Sequence, residues 1–442
     1  MSDADSNSVG LLRAVSRWQL VGLAINDVVG SGIYLLPAAA AALLGGASVW
    51  AIVLAGFAAA LLVLCFAEAS SHFDQPGGAY LYTREAFGSF IGFEVGWMTW
   101  LSRVAALASY ANGLVLAMTF FWPAAAGRWG RAAVICGLIV PLAVINARAV
   151  RAGARAAVVL VIAKMLPLAF FIVVGAWFVD HAHPAIFAAP RGGGLGQAAL
   201  LLLFAYAGFE NTPAAAGEYR NPRRDVPFAL LAMILVVTLV YGAVQVVALG
   251  TLPGLAQSAS PLADAAERFA GPSGAWLLTL GAILSITGIA GNTMLTGPRY
   301  LFALASDGYG PRALARVHPR YRTPAVAVVL QAIIALALAM SGSFVQLASL
   351  SVVARVATYI GTAAAVPILR RRLHDHAAVC LPLGPAIPIA ALLVATALVG
   401  SATKASLLAV AVALAAGGVI YVARRPQAPR RGSERPGAQT LR

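Results

Sequence analysis

Five ionisable side chains interrupt stretches that are otherwise apolar: Asp27, Arg103, Lys164, Glu210 and Arg355. A charge in hydrocarbon is costly, so such residues are candidates for proton relays, substrate counter-ions or neutralising pairs. Two of them stand beside a second unusual feature. Asp27 lies one turn before Gly30 in "GSGIYLLP" (Gly30–Pro37), and Glu210 lies inside "AYAGFENTP" (Ala205–Pro213). In each stretch a glycine precedes a proline by five residues, Gly32 to Pro37 and Gly208 to Pro213. Glycine and proline are poor helix formers. A segment that served only as an anchor would avoid them.

Glycine tolerates non-helical dihedrals, so both stretches are expected to break. A break frees N–H groups on one half-helix and C=O groups on the other. In hydrocarbon these orphans cost several kcal/mol each unless they line a cavity or meet a ligand. A half-helix N-terminus favours a carboxylate, and freed carbonyls suit an ammonium group. Two facing breaks can therefore hold a zwitterion, such as the α-amino and α-carboxyl ends of an amino acid, by main chain alone. The competing reading is that the glycines only permit close helix packing. Interrupted helices in corresponding positions of two halves favour the substrate site and point to an inverted-repeat secondary transporter.

The elements that must position these residues are membrane spans. Of 442 residues, 60% are hydrophobic and 11% charged, against about 25% charged in soluble proteins. Mean hydropathy is +0.83. With about 20 apolar residues needed per crossing, spans are expected at Trp18–Ala41, Ser48–Ser70, Ser89–Phe121, Ala132–Asn146, Ala156–Phe178, Gln197–Ala216, Val226–Leu249, Ser273–Leu304, Pro324–Met340, Val345–Leu369, Gly384–Gly400 and Ala405–Val422. That is an all-α polytopic membrane protein of about twelve helices. The third and eighth spans are overlong, which implies tilt or extension past the membrane.

Net charge is +15, but the basic residues sort by topology and do not suggest nucleic acid. Most collect on one face, including the six arginines from Arg424 onward. Arg128, Arg131, Arg191, Arg268 and Lys404 fall on the other. The positive-inside rule then places both termini in the cytoplasm. Met1 to Arg17 is polar and shows no short cleavable signal pattern. The segments are a cytoplasmic N-terminus (1–16), a first group of spans (17–178), a second group (197–372), two further spans (384–423) and a basic, disordered tail (424–442). Cys65, Cys136 and Cys380 form no paired or C-x-x-C pattern, and all six histidines fall in expected loops. No metal, cofactor or catalytic residue is indicated.

"VVGSGIYLLP", "FAEASSHFDQPGGAYLYTREAFGSFIGFEVGW" (Phe66–Trp97), "FAYAGFENTPAAAGEYRNPRRDVPFAL" (Phe204–Leu230) and "GPRYLFALASDGYGP" (Gly297–Pro311) together resemble signatures of the amino acid–polyamine–organocation superfamily. The resemblance runs from the first span to about the tenth. It implies a five-plus-five inverted repeat of the leucine-transporter type, discontinuous helices 1 and 6, and two extra C-terminal helices. It also implies transport of amino acids or related amines, driven by protons or by exchange. The candidate substrate-binding residues are then Val29, Gly30, Ser31, Gly32 and Ile33 at the first break, with Phe204, Ala207 and Gly208 at the second. The amides of Ser31, Gly32 and Ile33 are expected to meet the substrate carboxylate, and carbonyls near Phe204 and Ala207 its amine. Phe204 and Tyr206 flank the second break, either as an aromatic lid over the substrate or as plain helix packing; Phe204 is preferred as the lid, since relatives often place an aromatic gate at its position.

The coupling and gating candidates are Lys164, Glu210, Asp27, Arg103 and Asn292. Lys164 lies about 14 Å along the helix from Arg155, near mid-bilayer, and a lysine there exchanges a proton readily. In proton-coupled relatives a fifth-span lysine takes the place of sodium. By that resemblance Lys164 bonds carbonyls of the first break and a polar group of the eighth span, for which Asn292 and Thr293 are preferred. Ser285 and Thr287 are weaker choices, since Ser and Thr often bond their own helix. The alternative is a static ion pair of Lys164 with Asp27 or Glu210. Relatives carry an acidic residue at the place of Glu210, implicated in gating or proton handling; alternatively Glu210 only tethers its half-helix. Asp27 departs from the family pattern. It is expected to pair with Arg103 at similar depth; otherwise it faces the pocket and receives a cationic side chain. Arg355 needs a partner that the sequence does not identify.

Glu68, His72, Arg84 and Glu94 are expected near the cytoplasmic mouth, with Asp74–Gly88 as a hinge and interfacial stretch. A channel would need a polar pore with charge rings or a repeated filter loop, and a membrane enzyme a nucleophile–base or metal constellation. Neither pattern is present. The reading is a plasma-membrane amino acid permease, by proton symport or else by exchange, with a non-transporting sensor as the alternative. Its partners are the amino acid, protons and the bilayer, with oligomeric state open.

Overall fold

The computed structural model describes residues 15–73, 77–148, 154–180, 189–190, 194–373, 379–381 and 383–424. The expected N-terminal segment before residue 15, Asp74 to Pro76 of the hinge stretch, Arg151, Arg191 and the basic tail after Arg424 lie outside the described residues. Within them the protein is helical. The sole extended pairing is a parallel bridge between Val15 and Tyr219.

The first broken span consists of α1 (Arg17–Val28) and α2 (Ser31–Leu44). Gln19 Oε1 caps the start of α1 by accepting the Ser16 N–H at 2.9 Å, half of a capping box. Then follow α3 (Ser48–Ser71), the short α4 (Gly78–Phe87), α5 (Ser89–Met118), α6 (Arg128–Arg148) and α7 (Ala154–Gly175). The second broken span is α8 (Gly194–Tyr206), continued after two residues by a 3₁₀ segment, Phe209–Glu218. The chain goes on through α9 (Pro222–Thr251), α10 (Pro261–Ser306), α11 (Ala325–Ser341), α12 (Phe344–Leu373), α13 (Ala386–Gly400) and α14 (Lys404–Ala423).

Seven stretches among the described residues are long and apolar enough to cross a membrane, and three shorter apolar helices accompany them. Most expected span edges agree with the helix ends to within a few residues. The α1, α2 and α8 segments are individually short because the breaks divide them. At 30 residues, α5 is about 45 Å long, longer than a hydrocarbon core of about 30 Å, as its sequence implies. The eighth span begins upstream of its expected start. Pro261 opens α10, and Gly271, at φ 65°, ψ −165°, bends the chain before the main rod continues.

Helices α3, α5, α10 and α12 form the frame around the broken spans. α5 packs on α10 and α12, α3 packs on α8 and α9, α2 lies against α8, and α1 lies against α7, α9 and the 3₁₀ segment. Close approach rests on small residues. A Cβ on Gly32 would lie 2.7 Å from Ala205 Cα, and one on Gly208 would meet the Asp27 carbonyl oxygen. Each break is thus pressed against the backbone of the other span. α14 is peripheral, burying only Ser406 and Gly417.

Two charged clasps tie the bundle together away from the breaks. Glu68 on α3, fully buried, binds Arg370 on α12 through both carboxylate oxygens and also accepts the Leu381 N–H at 3.1 Å. On α4, Tyr80 and Arg84 both bond Asp307 beyond α10, the arginine at 3.0 Å. Burial, reinforced by that carboxylate, pushes the Tyr80 phenol above its ordinary pKa.

Candidate functional site

The first break spans Val29 and Gly30. The Val29 N–H closes α1 on Ile25 O at 2.9 Å. Val29 itself is extended (φ −71°, ψ 102°), and Gly30 sits at φ −135°, ψ −148°. The freed carbonyls of Asn26, Val28 and Val29 have partners. Lys164 Nζ donates to Asn26 O and Val29 O, both at 2.8 Å. Ser285 Oγ donates to the same Val29 O at 3.2 Å, and Tyr241 OH approaches Val28 O at 3.3 Å. The N–H side differs. The first-turn amides of a helix have no intrahelical acceptor, and α2 has no side-chain cap at Gly30. Ser31, Gly32 and Ile33 are buried, and the fully buried Ser31 hydroxyl has no hydrogen-bond partner among the described residues. A buried, uncapped helix start is a receptor for an anion.

The second break is tighter. The Ala207 N–H turns back onto Phe204 O at 3.2 Å, and Gly208 takes φ 130°, a value that an L side chain resists. The chain then resumes as 3₁₀ with Asn211 N–H on Gly208 O at 3.0 Å. Glu210 Oε2 accepts the Gly208 N–H at 3.0 Å. Tyr241 OH donates to Ala205 O at 2.9 Å while standing beside Val28 O, which joins the two breaks through one hydroxyl. Of the carbonyls expected to receive an amine, Phe204 O already closes the turn and keeps one lone pair.

The charges pair differently from expectation. Asp27 does not take Arg103. Asn292 Nδ2 donates to Asp27 Oδ1 at 2.7 Å, while Arg103 Nη2 lies 3.5 Å from Glu210 Oε1. The direct bonds are set by helix rotation: Asp27 on α1 reaches Asn292 on α10, and Arg103 on α5 reaches Glu210 beside the second break. Arg355 joins the same carboxylate, with Nε 3.3 Å from Oε1, and Tyr359 OH lies 3.4 Å from Oε2. Glu210 is therefore the partner of Arg355 that the sequence did not reveal.

The eighth-span neighbours are also exchanged. Ser285, the weaker choice, shares Val29 O with Lys164, whereas Asn292 serves Asp27. The two residues are two turns apart and so share one face of α10, reaching opposite ends of the broken segment. Thr293, one step round the helix, offers its carbonyl to Gln331 at 3.1 Å. Among the described hydrogen bonds and ion pairs, Lys164 is joined to main-chain carbonyls and not to Asp27 or Glu210, which counts against a static ion pair.

Phe204 packs between Tyr110, at 5.6 Å between ring centres, and Phe344, at 6.1 Å. Phe209 stacks on Tyr359 at 5.2 Å. Tyr241, Tyr110 and Tyr359 were not apparent from the sequence. Their signal was a phenol hydroxyl within an apolar span, which needs a polar partner when buried. Two cavities lie beside the centre without entering it. One, of about 340 Å³, is bounded by Ala39, Gln197, Ser349 and Thr403. The other, of about 270 Å³, is bounded by Phe93, Trp97, Tyr309, Leu330 and Ile334.

A family profile described as amino acid permease matches residues 15–438 of the chain. Among curated proteins, the methylthioribose transporter of Bacillus subtilis (strain 168) is 30% identical over 87% of each chain. The serine/threonine exchanger SteT of the same organism is 30% identical over 87% of this chain and 89% of its own length. The branched-chain amino acid permease BcaP, also from that organism, is 27% identical over 84% of both.

Proposed function

The chain belongs to the amino acid permease family, and from that premise we propose that it is a secondary transporter that moves amino acids across the plasma membrane by alternating access, coupled to protons. The observation that carries this reading is the first break. Its carbonyls are held by Lys164, while the buried start of α2 and the Ser31 hydroxyl are left to an anion. The substrate carboxylate sits on the amides of Ser31, Gly32 and Ile33, beside Val29 and Gly30. Its amine sits at the α8 end, near Phe204, Ala207 and Gly208. The two groups of spans, 17–178 and 197–372, are the inverted halves, 384–423 adds two helices, and both termini face the cytoplasm.

Lys164 is the coupling residue of this proposal. Protonated, it ties α7 to the first break. Deprotonated, it loses its charge-assisted bonds and frees α1 to move. Asp27, Arg103, Glu210 and Asn292 set the resting geometry around it. The test is uptake of radiolabelled amino acids by proteoliposomes, with and without an inward proton gradient. Concentrative uptake that needs the gradient supports symport. The similarity to an exchanger favours a second reading, in which uptake follows internal substrate and ignores the gradient. Binding without any flux would instead indicate a sensor.

A further inference from the structure

Two buried arginines share one carboxylate at the second break. Arg103 from α5 and Arg355 from α12 are each 2% exposed, and both approach Oε1 of Glu210. The other oxygen already accepts the Gly208 N–H and faces the Tyr359 hydroxyl. Among the described residues neither guanidinium makes a hydrogen bond through its Nε–H, and the approach of Arg355 Nε to Oε1 is an ion contact only. A guanidinium stays charged and presents a planar fork of donors suited to a carboxylate, so one glutamate does not neutralise two of them.

The other buried charges do not make up the difference. Lys164 and Asp27 offset each other when both are ionised. Glu68 is held by Arg370, and Glu94 faces Gly417 on α14. With these groups ionised, the centre holds one surplus positive charge, in surroundings where an unpaired charge is costly. The uncapped start of α2 adds a further preference for negative charge.

We propose that the cargo is an amino acid with a second acidic group, whose side-chain carboxylate binds the unbonded Nε–H groups of Arg103 and Arg355. This inference rests on the amino acid transporter reading above. A dicarboxylic amino acid removes the surplus charge, a neutral one leaves it, and a cationic one adds to it.

Glutamate and glutamine have nearly the same shape and differ in charge, so they separate charge recognition from fit. The experiment measures uptake of each, radiolabelled, by the full-length protein in proteoliposomes, with aspartate, asparagine and arginine as competitors. Glutamate is expected to be favoured over glutamine at least tenfold, with arginine the weakest competitor. Arg355→Gln lowers that ratio at least tenfold, and Glu210→Gln raises it. Glutamine equal to or better than glutamate in the unmodified protein overturns the inference and leaves the transporter reading intact. If no amino acid moves or competes, both fall together. Should Arg355→Gln fail to fold, the unmodified protein and Glu210→Gln still decide, because a purely structural ion cluster gives no preference for glutamate.

Discussion

Replacing Lys164 separates its proton from its hydrogen bonds. Its ammonium donates to Asn26 O and Val29 O at 2.8 Å each. Hydrogen bonds to a charged group contribute roughly 1.5–3 kcal/mol apiece, so Lys164→Ala weakens the link between α7 and the first break by roughly 3–6 kcal/mol. Ser285 continues to serve Val29 O at 3.2 Å, but Asn26 O loses the ammonium. A change of ~3 kcal/mol corresponds to roughly a 100-fold shift in equilibrium, and gradient-driven uptake is expected to fall by at least that much. Lys164→Arg keeps a cation and its donors but cannot release a proton. It is expected to retain exchange of internal for external substrate and to lose the response to an inward proton gradient. The assay is the initial rate of radiolabelled uptake by proteoliposomes at matched and unmatched pH. Gradient-stimulated uptake in Lys164→Arg would refute the assignment of the coupling proton to this residue.

Three further outcomes follow from the packing. Gly208→Ala forces a side chain into φ 130° and against the Asp27 carbonyl, at a cost of about 1–3 kcal/mol for the backbone alone; thermal unfolding in detergent should begin several degrees lower, and an unchanged midpoint contradicts the described turn. Tyr241→Phe removes the hydroxyl on Ala205 O and should destabilise the protein by about 1–3 kcal/mol through a bare buried carbonyl, measured as folded fraction after heating. Glu68→Gln leaves Arg370 without its carboxylate and is expected to cost about 1–3 kcal/mol, with partial recovery in Glu68→Gln/Arg370→Gln; equal stability of the single variant and the parent argues against that clasp.

The helix ends and both breaks were legible in the sequence because they depend on local properties. Apolar length marks a span, and the spacing of Gly32 to Pro37 and Gly208 to Pro213 marks an interruption. The burial of Lys164 was likewise suggested by its place in an apolar run. The pairing of charges did not follow, because it depends on how each helix is rotated. Asp27 bonds Asn292 and not Arg103, and Glu210 draws in both Arg103 and Arg355 from different helices. The same limit exchanged Ser285 with Asn292. The resumption of the second broken span as 3₁₀ also escaped notice, since Phe209–Glu218 carries no signal that separates 3₁₀ from α.

The central claim is that the two interrupted spans offer main-chain groups to the ends of an amino acid. It is tested most directly by an experimental density map of the protein with a transported amino acid bound. The α-carboxylate is expected within hydrogen-bond distance of the Ser31, Gly32 and Ile33 amides, and the amine at the end of α8. Density for the amino acid elsewhere, with those amides capped by other groups, would contradict it.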